Sequence, residues 1–424
     1  MWVFDSGSGH LMTMDVQFGR RVAHWRTRRR LSQQEFAFLM QRSLRWVEAL
    51  EGGRRQADPN LSVVTEIAAR LGVSVERLLY DPVVLCPAES EIDAVRAVLH
   101  RHDVITGRTD DAGVDPVPVA CLRRDLVHAR TGFQAGHFAR LGTQIPALLI
   151  DATRAAERHQ GEDRQEAYRL LSLSLELTEA AAIKWGDGEL AVMAGQRAVA
   201  AAERCEDPVI KASAARHLAD AMTSHGQAAA AVDFARAAAA RLQPELLQRG
   251  ALGWSVLGML YLKAALAQAA VAEADDRSPD AAARAVPALL DEADEYAARL
   301  GGDGNELWTS FGPTNCALYR VAAHVQLSAG ADAVVVAVGI PPAALGALPR
   351  ERRAHLLTDR ARGETQAGLR EKAVDTLLEA EALAPEEVVC RPRTKELVED
   401  LRLLGTGSAQ RRLRGLADRC GLPR

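Results

Sequence analysis

Paired cysteines, lysines, a basic excess and β-type alternation are all scarce in this chain of 424 residues, and each scarcity argues against a class of protein. The six cysteines (Cys86, Cys121, Cys205, Cys316, Cys390, Cys420) are scattered with no C-x-x-C, so neither a disulfide framework nor a zinc module is indicated, and free thiols in a reducing cytosol are expected. None of the five lysines follows a glycine, which removes the G-x-x-x-x-G-K-[ST] phosphate loop. H-E-x-x-H and G-x-S-x-G are missing too. Gly301-Gly302-Asp303-Gly304 has no strand before it and is no dinucleotide fingerprint. The closest histidines, His100 and His102, fall on different sides of a helix, so no metal site is expected. Carboxylate pairs such as Asp275-Asp276 and Glu386-Glu387 read as solvated loop or helix-start charge. No enzyme activity and no cofactor are expected.

Residues 1–16 are Gly/Ser-rich without Lys or Arg, hence no signal peptide; a disordered tail is expected, with Met12 and Met14 as alternative starts. The longest apolar run, Gly250 to Ala272, approaches the roughly 18 to 20 residues of a membrane span. Its Ala/Gly content, Lys263 and Gln268 favour a helix of a soluble, cytoplasmic protein without membrane partners. A formal net charge of -4 argues against a surface that coats nucleic acid as a whole, so any such partner must meet a local patch.

That patch is present. Between Phe18 and Arg55 stand ten arginines (Arg20, Arg21, Arg26, Arg28, Arg29, Arg30, Arg42, Arg45, Arg54, Arg55) against Glu35, Glu48 and Glu51, and the remainder is acidic. Asp81-Pro82 closes this module at 17–82; residues 83–118 read as a helical segment and a Gly/Asp/Pro linker. From 119 to 424 run alanine-rich amphipathic segments with almost no β-alternation, so the chain reads all-α. Ala333 to Val338 is strand-like, although periodicity cannot separate so short a run from buried helix.

Within the module, Phe18, Val22 and Trp25 form an i, i+4, i+7 stripe of a first helix. Ser32 and Glu35 make a capping box for a second, with Phe36, Ala37 and Leu39 inward, that ends near Met40. Ser43 caps a third, with Val47 and Leu50 inward and Arg45, Glu48 and Ala49 outward. Asp58-Pro59 would start a fourth helix ending at Gly72, and Ser74 a fifth running through Leu79. Two short helices joined by a tight turn, the second basic on its outer face, form the helix-turn-helix pattern.

These residues, Leu31-Ser32-Gln33-Gln34-Glu35-Phe36-Ala37 and then Ser43 to Arg55, resemble the Cro/C1-type (XRE) helix-turn-helix family over about 60 residues. The resemblance implies that Gln33, Ser43, Leu44, Arg45 and Ala49 face double-stranded operator DNA, while Arg42, Trp46, Arg54 and Arg55 follow the phosphates. Arg45 would be the base reader, since a guanidinium can bond both O6 and N7 of guanine. Gln41 stands where the family usually has Gly, so a left-handed backbone costing roughly 1 kcal/mol is expected there. An arginine-coated domain contacting another protein is the competing reading.

Farther on, Trp254-Ser255-Val256-Leu257-Gly258-Met259-Leu260-Tyr261 reproduces the W-x2-L-G-x2-Y signature of tetratricopeptide repeats. Ala373, Ala380 and Pro385, preceded by Leu357 and Ala361, match a second unit. A weaker copy uses Leu218-Ala219, Ala231, Ala238 and Pro244. The resemblance implies a five-helix helix-turn-helix domain followed by a tetratricopeptide-like α-helical solenoid whose concave groove senses a peptide or small-molecule effector. Trp308, Phe311, Asn315 and Tyr319, the densest aromatic and amide cluster, are the candidate ligand residues; a packed core kink is the alternative. The layout resembles the peptide-responsive regulators of Gram-positive bacteria, of actinobacterial type by its arginine and alanine bias, acting as homodimers. The competing function is a protein-interaction scaffold in which DNA binding is only a tether.

Overall fold

The structure, a computed structural model, describes residues 10–29, 31–52, 60–73, 75, 78, 86–101, 115–274 and 283–423, with side chains from 18 onward except at Arg28 and Leu61. It is all-α: among the described residues there is no strand. The chain divides into two compact units, Met1–Val84 and Leu85–Arg424.

The first unit is a helix-turn-helix domain. α1 (His10–Arg28) begins inside the stretch expected as a tail and turns Phe18, Val22 and Trp25 into the core. α2 (Gln33–Leu39) starts on the Ser32/Glu35 capping box, in which each residue satisfies a backbone N–H of the other. Phe36 and Ala37 point inward, but Leu39 is only half-buried and Met40 takes the interior place. α3 (Leu44–Glu51) is capped by Ser43, whose hydroxyl accepts from the Trp46 N–H. Between α2 and α3 Gln41 adopts φ +50°, the left-handed geometry expected from its place in the turn. Gly19 allows α1 to cross α3 at close range, since a Cβ there would lie 2.1 Å from the Leu50 carbonyl oxygen. α4 (Leu61–Leu71) is capped by Asn60 and ends on Gly72 at φ +62°. The fourth helix, expected to start at Asp58-Pro59, is capped instead by Asn60, whose side chain accepts from the Ser62 N–H. Asp58 and Pro59 themselves lie outside the described residues, as do Ser74 and Leu79, while Leu78 is helical and buried.

The second unit is a solenoid of helix pairs. Two helices of the expected 83–118 and 119–424 segments, α5 (Glu89–Leu99) and α6 (Val119–Gln134), share one core with α7 (Leu141–Arg158) through Val95, Leu99, Leu122, Leu126 and Ile145. Then come α8 (Gly161–Trp185) with α9 (Gly188–Arg204), α10 (Pro208–Ser224) with α11 (Ala228–Leu247), and α12 (Gly250–Ala274) with α13 (Val286–Leu300). α14 (Pro313–Gln326) pairs with α15 (Gly330–Gly339); α16 (Pro342–Ala347) leads to α17 (Arg350–Gln366) with α18 (Arg370–Leu383). α19 (Pro385–Val389), α20 (Pro392–Leu404) and α21 (Gln410–Arg419) close the unit.

Small residues set the spacing of the pairs. Gly258 of α12 lets the fully buried Phe311 ring rest on the helix backbone, because a Cβ there would meet its Cζ at 2.0 Å. Ala361, Ala373 and Ala380 are buried where α17 and α18 meet. Two expected prolines act differently: Pro244 lies inside α11, which continues to Leu247, and Pro385 opens α19. α12 is long and apolar enough to cross a membrane by composition, with 67% of its most apolar window buried among its neighbours. The strand-like run at Ala333 lies within α15.

Candidate nucleic-acid interface and ligand groove

In the first unit, two of the ten arginines, Arg21 and Arg26, are buried and so leave the count of surface charge, and a third, Arg29, stays exposed but is tied to backbone carbonyls. Arg26 clamps the Glu51 carboxylate with two bonds, Nε to Oε1 at 2.5 Å and Nη2 to Oε2 at 2.9 Å, and its Nη1 donates to the Leu31 carbonyl at 2.6 Å. Arg21 Nε donates to the Leu78 carbonyl at 2.6 Å. Arg29 donates to the carbonyls of Leu71 and Gly72, each at 2.7 Å, satisfying acceptors at the C-terminus of α4 that have no partner within the helix. Glu51 ends α3, where its charge opposes the helix dipole, so the clamp both neutralises it and ties α3 to α1.

The expected DNA-facing residues divide accordingly. Arg42, Ser43, Leu44 and Arg45 are all exposed around the N-terminus of α3, and Ala49 is half-buried. Gln33 is half-buried and donates from Nε2 to Glu51 Oε2 at 2.8 Å, so it braces the α2–α3 pair. Trp46, expected along the phosphates, is 8% exposed and packs in the core with Val47 and Leu50. The Arg42 guanidinium lies 5.7 Å from the centre of its ring. Arg54 and Arg55 lie outside the described residues. Sequence reasoning missed the Arg26–Glu51 pair, for nothing local links residues 25 apart. It also missed Phe38, which stands 85% exposed on α2.

In the second unit the first helix of successive pairs faces inward. α8, α10, α12, α14, α17 and α20 together line a cavity of ≈ 590 Å³. Leu266, Ala270, Leu318, Ala322, Val325 and Leu356 supply apolar lining, and charged side chains surround them. Most of the cations are matched. Lys184 reaches Glu351 and Glu387, both at 2.7 Å; Lys263 meets Asp220 at 2.6 Å, Arg352 meets Glu351 at 2.8 Å and Arg391 meets Glu387 at 2.8 Å. Burial works against the Glu351 carboxylate, but Arg352 and Lys184 outweigh it and hold the group well below its usual range. His355, near Glu351, Asp359 and Glu387, is pushed well below the usual imidazole range by burial and by Arg391 and Lys184.

The reading of Glu386-Glu387 as solvated charge is corrected. Both are buried: Glu387 holds Lys184, and Glu386 Oε2 accepts from the Ala139 N–H at 2.7 Å. Burial pushes the Glu386 carboxyl up to about 8 despite that bond. Lys184 and Glu387 are 203 residues apart, so their pairing joins the early and late helices of the solenoid. Asp275-Asp276 lie outside the described residues.

Of the expected ligand residues, Tyr319 lines the cavity, with Lys263 Nζ 5.3 Å from its ring centre. Phe311 and Asn315 are fully buried behind it; Asn315 Nδ2 donates to the Thr309 carbonyl at 3.4 Å. Trp308 is half-buried beneath the Arg130 guanidinium, 5.1 Å from its ring centre, and lies outside the lining. Arg130 belongs to a second buried network that bridges α6, α8 and α10. It donates to the Leu173 carbonyl at 2.9 Å and reaches Glu176 Oε2 at 3.5 Å, and Ser213 donates to the same oxygen at 2.8 Å. His217 Nδ1 and Glu179 Oε2 are 2.5 Å apart. Burial pushes the Glu179 carboxyl well up and the His217 imidazole well down, so both tend to their neutral forms.

No protein-family model matches the chain, and no curated protein matches it significantly. The solved structures that are similar in part include the following three. PlcR of Bacillus thuringiensis, in complex with the peptide PapR7 and DNA, is 11% identical, with 87% of this chain and 99% of that chain covered and a TM-score of 0.31. ComR of S. thermophilus, in complex with DNA and its signalling peptide ComS, is 12% identical over 81% and 99%, with a TM-score of 0.21. ComR of Streptococcus suis is 15% identical over 92% and 95%, with a TM-score of 0.16.

Proposed function

We propose that this chain is a sequence-specific DNA-binding transcription regulator whose helix α3 enters the major groove and whose solenoid binds an effector. The observation that carries the reading is the two-sidedness of α3. Trp46, Val47 and Leu50 anchor one side in the core, while Ser43, Leu44 and Arg45 stand exposed at the end that a recognition helix turns to base edges. The Arg26–Glu51–Gln33 clamp fixes the angle at which they are presented. Arg45 reads a guanine, and Arg42 contributes salt-dependent phosphate attraction.

Two copies in a homodimer would set their recognition helices about one DNA turn, roughly 34 Å, apart. An effector in the ≈ 590 Å³ cavity shifts the equilibrium between two dimer geometries only through different affinity for them. The test is fluorescence anisotropy of the duplex upstream of the protein's own gene at near-physiological salt, comparing the protein with Arg45→Ala. Specific binding that falls to the scrambled-duplex level in the variant supports base reading by α3. Equal affinities of both proteins for both duplexes would leave only background attraction and favour a scaffold.

A further inference from the structure

Resting on the effector reading above, we infer that the cavity receives the carboxylate of a ligand with an apolar body, held by the guanidinium groups of Arg362 and Arg393. The cavity's cations fall into two sets. Lys184, Lys263, Arg352 and Arg391 each meet a carboxylate of the protein itself. Arg362 and Arg393 do not: among the described residues, Arg362 Nη2 donates to the Arg393 backbone carbonyl at 2.5 Å, and Arg393 Nη2 donates to the Gln326 side-chain oxygen at 3.2 Å. Both line the cavity, Arg362 from α17 and Arg393 from the first turn of α20.

Arg362 is partly buried and Arg393 exposed, and like charges facing one another are relieved when an anion joins them. Burial and then the charge of Arg393 bring Arg362 down to about 10; Asp359 and Glu396 offset that only in part, and Asp359 also faces His355 at 3.6 Å. The first turn of α20 adds a modest field of the same sign, since its N-cap residue Arg391 makes no side-chain capping bond. A planar carboxylate matches paired guanidinium donors. The same cavity is lined by Leu266, Ala270, Leu318, Ala322, Val325 and Leu356, which suit an aliphatic or aryl body. A short peptide's free C-terminus and a small organic acid present the same group.

The experiment is calorimetric titration of the full-length protein at millimolar ligand with two matched pairs: 4-phenylbutyrate against 4-phenylbutyramide, and Leu-Leu-Leu against its C-terminal amide. At least one acid is expected to bind about tenfold or more tightly than its amide, since charge-assisted hydrogen bonds are at stake. Preference within the second pair alone identifies a peptide terminus, and within the first a small acid. Arg362→Gln with Arg393→Gln is expected to abolish the preference; Arg393→Gln alone, at an exposed residue, keeps the test valid if the double variant unfolds. Equal binding of acid and amide, no binding of either acid, an acid preference that survives these substitutions, or equal competition by inorganic phosphate would overturn the inference. DNA binding measured on the same preparations separates the two readings, because its dependence on Arg45 does not require the cavity.

Discussion

Replacing Glu51 by alanine isolates a guanidinium inside the helix-turn-helix core. The Arg26 and Glu51 side chains are 7% and 1% exposed, and their two bonds span α1 and the end of α3. Removing one partner of a buried pair costs about 3–5 kcal/mol, because the charge left behind is uncompensated. Gln33 also loses its acceptor, which adds roughly 0.5–1.5 kcal/mol. A unit of this size has about 4–10 kcal/mol of stability in all, so the variant should be close to unfolding locally. Hydrogen exchange read by mass spectrometry on the full chain should show amide protection between Phe36 and Leu50 falling by about three to five orders of magnitude, or to its complete loss where the unit's own stability is the limit. Specific DNA binding should fall with it. Replacing both partners, Arg26→Met with Glu51→Met, removes the orphan charge and should recover most of the loss. A cost below about 1 kcal/mol for Glu51→Ala, or a double variant no better than either single one, would refute the claim that the pair sets the α1–α3 geometry.

Three further outcomes are expected. Gln41→Gly relieves a left-handed backbone at φ +50° and should stabilise the first unit by up to about 1 kcal/mol, less any entropy cost of the glycine, measured by the same exchange experiment. Gly258→Ala drives a methyl into the Phe311 ring and should destabilise the solenoid by roughly 1–3 kcal/mol in urea unfolding, while leaving exchange in the first unit unchanged. Glu386, raised to about 8 in the folded protein, binds a proton there that the unfolded chain releases near 4.5, so its contribution to stability falls as pH rises from about 4.5 through 8. Glu386→Gln should flatten that decline in thermal midpoints measured across the range, whereas an unchanged slope would place the titration elsewhere.

The parts of this protein legible in its sequence are those set within a few residues. The Ser32/Glu35 box, the Ser43 cap, the strained turn at Gln41, the Gly72 stop and the stripe of Phe18, Val22 and Trp25 all depend on spacings of three or four positions, which a helix makes physically adjacent. The alanines and Gly258 of the repeats are legible for a similar reason, since only small side chains permit close helix pairing.

Charge was the misleading signal, because a sequence gives its sign and not its depth. Arg21 and Arg26 count toward a basic patch yet lie buried on a carbonyl and a carboxylate of their own unit, and Glu386-Glu387 resembles an exposed helix start yet lies buried. The aromatic cluster at 308–319 supplied one cavity residue, Tyr319, while Arg362 and Arg393, with no shared motif, reach the same cavity from different helices. By itself the sequence determined the all-α class, the Ser32/Glu35 and Ser43 caps and the small residues at which neighbouring helices pair, since these rest on local hydrogen bonds and side-chain size. It put the start of the fourth helix at Asp58 and not at Asn60. Only the tertiary structure decided which charges are buried, which cations lack a carboxylate and where the cavity lies, because those follow from contacts such as Lys184 with Glu387 that chain closure creates over 203 residues.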